Sequence, residues 1–373
     1  MAVTFATIPQ KYAPSDNPLM YQFSSDNTLE DNFYFQIETY INGVVVATDK
    51  VFTEVGSSAH FDASTVTRYS TPSPTMSTVL SQDSGTMKTV KIKVTEFFGA
   101  TPVAEDDATS TETYTFKACL KDEDWITSDF ENDYQNTKFL TNYPRTERVF
   151  VLRGQDVFLN MITDLSVDVD ITFYNSAGGT ISTYNDTQNF KIWQLNLKST
   201  LLDAIVTGSI DDVAYFTVTI NSVDPITFEY YDEYCTIPYG LLWLNEFGAY
   251  DTFVFTHNNV LSGSVSSESY VKMFGQWADS TFTYDLNNSG TIDFSNTVKE
   301  KGELSSGYMI EELQNWLIEL YKTPFVLLLG LGGYSIPINL ESKNYKVEQD
   351  RFEDLISETV RYSKSTEHRS ISL

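Results

Sequence analysis

Phe33-Tyr34-Phe35-Gln36-Ile37-Glu38-Thr39-Tyr40-Ile41-Asn42-Gly43-Val44-Val45-Val46-Ala47-Thr48 is the stretch that sets the fold class. Two runs rich in aromatic and β-branched residues flank Asn42-Gly43, and Asn-Gly tolerates the positive φ that a tight hairpin turn demands. The same pattern recurs outward. Lys88 to Phe97 sets Val90, Ile92 and Val94 against Lys91, Lys93 and Thr95, and Thr111 to Cys119 sets Tyr114 and Phe116 against Thr113, Thr115 and Lys117. Alternation with a period of two residues marks half-buried strands. Six or seven such strands within about 105 residues predict a β-sandwich. Composition agrees, because 14% of residues are aromatic, with 25 Phe and 23 Tyr, and these suit a pleated surface.

A chain of 373 residues exceeds one ordinary core, since domains run to roughly 100–200 residues. The pattern divides it into an extended N-terminal arm (1–18), a β-sandwich domain (19–120), an acidic polar connector (121–147) and a second β-rich domain (148–373). The last of these allows a split near 275. Within it, Val167 to Tyr174 and Thr180 to Tyr184 flank Ala177-Gly178-Gly179 as a hairpin, and Ala214 to Ile220 and Ile226 to Tyr231 flank Asp224-Pro225. Leu241 to Asn245 and Thr252 to Phe255 read as a strand pair. Residues 257–270 are Ser/Asn/Gly-rich, with strands resuming at Tyr270 to Phe274 and Thr281 to Asp285. Met309, Ile310, Leu313, Trp316, Leu317, Leu320 and Tyr321 form one stripe of helical period, which predicts an amphipathic helix over about 308–322. Ser305 or Ser306 caps it on this reading, and Thr323-Pro324 ends it. The expected fold is therefore mainly β, with tandem β-sandwich-like domains and one helix packed on the C-terminal sheet. The arm and the loops 71–87 and 99–110 look polar and poor in core residues, so they are expected to order through neighbouring subunits.

Acids outnumber bases 51 to 24, a net charge of −27, which argues against coating nucleic acid or an anionic membrane. The opening MAVTFATIPQKYAP has no basic segment leading into an apolar one, so no secretory signal is expected. No apolar run reaches membrane-spanning length, and Phe325 to Leu331 reads as a buried strand. Cys119 and Cys235 read as buried small hydrophobes rather than a disulfide, and His60, His257 and His368 are too scattered for a metal site. Asp285 to Asp293 resembles an EF-hand calcium loop, but position 12 is Asn296 where a bidentate Glu belongs and the flanks are β-rich. A turn explains it better. Gly330-Leu331-Gly332-Gly333 leads into Tyr334 to Ile338, an extended run rather than a helix, so it reads as a strand-to-strand turn. Glu229 to Tyr234 mixes acids and aromatics as sugar sites do, with solvated strand residues as the simpler account. No catalytic, cofactor-binding or metal-binding residue is singled out, and an enzyme is not expected.

One longer segment carries a different signal. Pro238-Tyr239-Gly240-Leu241-Leu242-Trp243-Leu244-Asn245-Glu246-Phe247-Gly248-Ala249-Tyr250-Asp251-Thr252-Phe253 combines an aliphatic strand, a Trp-x-Asn core, a Phe-Gly pair and an aromatic-Asp-x-Phe ending. Asn17-Pro18-Leu19, Phe23-Ser24-Ser25-Asp26 and the Tyr40 to Gly43 turn precede it, and the Trp316 helix with Thr323-Pro324 follows. In this order the spots resemble virion tail or connector structural proteins (ring, hub or baseplate/adaptor type) of crAss-like or related tailed phages infecting Bacteroidota.

That resemblance implies a structural component of the tail or head-to-tail connector, located in the virion and made in the host cytoplasm. It implies a symmetric homo-oligomer in contact with other virion proteins, with twelve copies if it is a ring. It implies no cofactor and no membrane partner. An acidic lumen formed by Asp122, Glu123 and Asp124 or by Glu105 to Asp107 would let DNA pass without specific binding. The alternative is a carbohydrate-binding or adhesin-type β-sandwich module of a tail fibre or baseplate. It is disfavoured because all five Trp sit in contexts that suggest burial.

Overall fold

The computed structural model describes residues 3–53, 57–189, 191–231, 239–272, 275–283, 290–330, 335–341 and 356–369, and it is mostly β. Contacts divide the chain into two units. Unit 1 is Met1–Tyr231 with Trp243–Thr252, and unit 2 is Asp232–Leu242 with Phe253–Leu373.

Unit 1 begins with β1 (Thr4–Thr7), β2 (Tyr12–Pro14), β3 (Met20–Ser24), β4 (Tyr34–Ile41), β5 (Val44–Val51) and β6 (Ser58–Asp62). Helix α1 (Ser64–Ser70) leads to β7 (Ser81–Asp83), β8 (Lys88–Phe98), β9 (Val103–Thr109) and β10 (Thr113–Phe116). The expected hairpin is β4–β5, with Asn42 and Gly43 at φ of 49° and 78°. The sheets β1-β3-β6 and β2-β10-β8-β4-β5 share one core, to which Tyr21 and Phe23 contribute from the first and Phe35, Ile37, Ile92 and Val94 from the second. β8 buries Val90, Ile92 and Val94 as its alternation requires, and Glu96 continues the row. β10 departs from its pattern: Thr113 and Thr115 are buried beside Phe116 while Tyr114 is half-buried, because neighbouring structure covers both its faces.

The arm 1–18 is a correction. β1 pairs with β3, and β2 adds in parallel to β10. Tyr12 and Ala13 are fully buried, and Asn17 exchanges two hydrogen bonds with the Leu120 backbone at 2.9 and 2.8 Å. Val3, Tyr12 and Ala13 are buried while Ile8 stays exposed, so the arm's polar composition misled. The loops 71–87 and 99–110 also order on their own unit. β9 is a strand on β8, and β7 pairs with a strand more than 100 residues later, at Trp193.

Helix α2 (Asp122–Thr127) and a π-helical turn at Phe130–Tyr134 replace the solvated connector expected at 121–147. Phe130 and Leu140 pack with Tyr12, Phe116, Ile162, Ile192 and Phe247 in a second core. β11 (Arg148–Val151), β12 (Phe158–Ile162), β13 (Val167–Tyr174), β14 (Thr180–Gln188), β15 (Ile192–Asn196), α3 (Ser199–Leu202), β16 (Tyr215–Ile220) and β17 (Val223–Tyr230) follow. They form the sheets β11-β17-β16-β13-β14 and β12-β15-β7. Because β7 belongs to the second of these, no boundary falls between 120 and 148, and the division comes after Tyr231. The β13–β14 hairpin forms as expected. The turn between β16 and β17 is at Asn221-Ser222, at φ of 45° and 61°, while Asp224 and Pro225 lie within β17. There the Asp224 carboxylate accepts from Arg145 at 2.6 and 3.0 Å.

β18 (Tyr239–Leu244) and β19 (Tyr250–Phe255) are adjacent strands whose far end, Trp243–Thr252, belongs to unit 1. Unit 2 continues with β20 (Val260–Lys272), β21 (Gln276–Ala278), β22 (Thr281–Thr283), β23 (Gly290–Met309), α4 (Glu311–Leu317), α5 (Glu319–Lys322), β24 (Val326–Leu329), β25 (Ser335–Leu340), β26 (Ile356–Lys364) and β27 (His368–Arg369). Its main sheet runs β19-β18-β24-β25-β26-β23-β20, with β27 beside β23. The Ser-rich stretch 257–270 is thus largely strand β20, a second correction. Almost every residue of β20 is exposed, so nothing selected an apolar alternation that could be read. The helix is shorter than expected because Ser305 and Ser306 extend β23. The Ser306 hydroxyl accepts from the Glu358 amide at 2.9 Å and caps nothing. Trp316 is buried on the predicted stripe and meets the Phe253 ring edge-on at 5.9 Å, so the helix does pack on the C-terminal sheet. Among the described residues, no helix is long and apolar enough to cross a membrane.

Candidate functional site

The segment that carries the resemblance is a hydrogen-bonded knot in unit 1. Asn245 sits at the start of the β18–β19 turn, where its carbonyl oxygen side-chain atom Oδ1 accepts from the Ala249 amide at 2.9 Å. Its Nδ2 donates to the Leu140 carbonyl and to Asp251 Oδ1, both at 3.0 Å. Thr141 Oγ1 donates to the same Asp251 oxygen at 2.8 Å, so this fully buried carboxylate is held by neutral donors. The Tyr143 hydroxyl accepts from the Thr252 amide at 2.7 Å and donates to its carbonyl at 3.2 Å. Burial pushes the Tyr143 phenol well above its usual pKa. Gly248 brings the turn onto Lys117, and the Cys119 amide donates to the Glu246 carbonyl at 2.8 Å. Sequence reasoning found the Trp-Leu-Asn and Tyr-Asp-Thr halves but missed Thr141 and Tyr143, whose polar neighbours hid them. The chemistry of this cluster is structural: it fastens residues 139–145 to a turn about 100 residues later.

The residues flagged for other chemistry do not converge. The described part of the calcium-like loop, Gly290 to Asn296, lies in β23, and its beginning lies outside the described residues. The Gly330–Gly333 turn is described only at Gly330. Glu229 is on β17 and pairs with Arg148 at 3.1 Å, Tyr230 is buried at the end of the same strand, Tyr231 meets Phe150, and residues 232–234 lie outside the described residues. Among the described residues, no His/Cys/Asp/Glu group could hold a metal ion. Cys119 is exposed, contrary to expectation, and Cys235 lies outside the described residues. Asp122, Glu123 and Asp124 occupy the first turn of α2, where carboxylates favour the helix N-terminus. Asp107 pairs with Lys93 at 2.8 Å.

Unit 2 presents two features that the sequence did not announce. The first is a cavity of about 560 Å³ lined by Leu261, Leu328, Ile336, Tyr239, Tyr362 and the Glu300–Lys364 ion pair. These residues come from β18, β20 and the strands between, so the sheet curls around it. Tyr362 lies across Gly302, where a Cβ would come within 2.4 Å of its ring. Burial, with the nearby Tyr239 and Glu300, pushes the Tyr362 phenol up to about 12.

The second feature is a ribbon. β20 and β23 pair from Val260↔Glu303 to Lys272↔Gly290, while β26 accompanies β23 only from Lys301 and β27 only at Thr297 and Val298. Gly290 to Asn296 with their β20 partners therefore project as two strands for roughly 20 Å. Val265, Tyr270, Val271 and Phe294 are exposed on this ribbon. The far edge of β20 has no strand partner among the described residues. Trp277 on β21 is 71% exposed, which corrects the expectation that every Trp is buried.

No family model matches the chain, and no curated protein matches it. Among solved structures, a marsupial T cell receptor is similar over 81% of this chain and 96% of that one, at 8% identity. Its TM-score of 0.20 is too low for the likeness to bear on fold or function.

Proposed function

We propose that this chain is a structural assembly protein that works as a symmetric oligomer, in the tail or head-to-tail connector of a tailed phage virion. The observation that carries the assembly reading is the β20–β23 ribbon. A two-stranded ribbon exposed on both faces is marginal in water, and a long open edge is a ready template for another strand. The virion setting rests on the residues of the Trp243 to Phe253 segment and their order with the opening and the helix. In such a particle the net charge of −27 leaves genome phosphates unbound as they pass. The test has two parts. Mass measurement of the purified chain is expected to give an integral multiple of the monomer, and peptide mapping of purified particles is expected to find the chain among virion proteins. A monomer at every concentration sinks the assembly reading, and absence from particles sinks the virion one.

A second reading, a glycan-binding adhesin module, is supported by the exposed Trp277 and the tyrosines of the unit 2 cavity. Glycan-array binding that is lost with Trp277→Ala would favour it.

A further inference from the structure

β20 lacks the devices by which proteins blunt an exposed edge. It runs thirteen residues without proline, Glu268 and Lys272 are its only charges, and its partner strand absorbs the one register shift, between Ser295 and Asp293. The strand is therefore regular and electrically neutral, in a chain whose net charge of −27 otherwise repels its own copies.

We propose that β20 pairs antiparallel with β20 of a second copy of this chain across a two-fold axis at Ser266, deepening the assembly reading on which it rests. That register gives the greatest overlap. It sets Leu261 opposite the partner's Val271, Ser262 opposite the partner's Tyr270 and Ser264 opposite the partner's Glu268. Lys272 meets the partner's Val260, so no like charges face each other. A two-fold contact is self-complementary and closes on itself. The edge carries no net charge that would oppose the approach of a second copy, and pairing there turns two two-stranded ribbons into one sheet of four strands.

The test uses the full chain with Ser266→Lys, Ser266→Glu and an equimolar mixture of the two. Ser266 is exposed, so each variant should keep the circular dichroism of the parent. Like charges directly opposed in a sheet are destabilising, so each variant alone is expected to self-associate roughly tenfold more weakly. The mixture should recover association, as sedimentation velocity would read. If Ser266→Lys associates like the parent, the β20 contact is wrong and the assembly reading stands. If the parent itself is monomeric at every concentration, both fall. Failure of the mixture to recover overturns the register centred on Ser266.

Discussion

A Cβ on Gly248 would lie 1.3 Å from the Lys117 carbonyl oxygen, and the residue's φ is +72°. Both the backbone conformation and the close approach exclude a side chain. Gly248→Ala is expected to cost about 2–4 kcal/mol, read as a lower urea midpoint for unit 1. An unchanged midpoint would mean the turn does not pack on Lys117. Tyrosine ionisation gives a second prediction. Burial, followed by nearby Asp133 and Glu246, pushes Tyr134 up to about 12, and Tyr362 is raised to a similar value. Both phenols ionise near 10 once unfolded. The folded state therefore holds these protons more tightly, so their contribution to stability is intact below pH 10 and declines as pH rises towards 12. Tyrosinate absorbance from these residues should appear together with loss of circular dichroism. Ionisation well before unfolding would place both phenols in water.

Among the elements, α4 and β2 have the clearest consequences. Trp316 is buried against Phe253, and Trp316→Ala is expected to destabilise unit 2 by roughly 3–5 kcal/mol. A mutant of unchanged stability that fails only to assemble would make the helix a contact surface instead. Deleting residues 1–18 removes Tyr12 and Ala13 from the cores and Asn17 from the Leu120 backbone. The truncated chain is expected to lose the cooperative unfolding transition of unit 1. A removable arm would leave that transition where it is.

Over the whole molecule, a net charge of −27 opposes any association of copies. Salt screens such repulsion, so self-association should strengthen between low ionic strength and 0.5 M salt, where the screening length falls to about 4 Å. Sedimentation that weakens with salt instead would point to contacts made by opposite charges. Duplex DNA should not be retained even at low salt, because a net charge of −27 opposes the phosphate contacts from which counterion release would follow. Anisotropy of labelled DNA reads this directly.

The β class, the β4–β5 and β13–β14 hairpins, and the Trp316 stripe were legible in the amino-acid order alone. In each case the signal is local: turn residues and side-chain period lie within a few residues of one another. The Trp243 to Phe253 segment stood out only through its resemblance, and the partners that hold it, Leu140, Thr141 and Tyr143, lie about 100 residues earlier. The remaining features depend on contacts between distant segments. β7 pairs across more than 100 residues, and Phe130, between Asp129 and Glu131, becomes core, since burial there depends on distant partners. β20 was invisible for the opposite reason: a strand with no buried face is under no pressure to alternate, and only its pairing with β23 defines it.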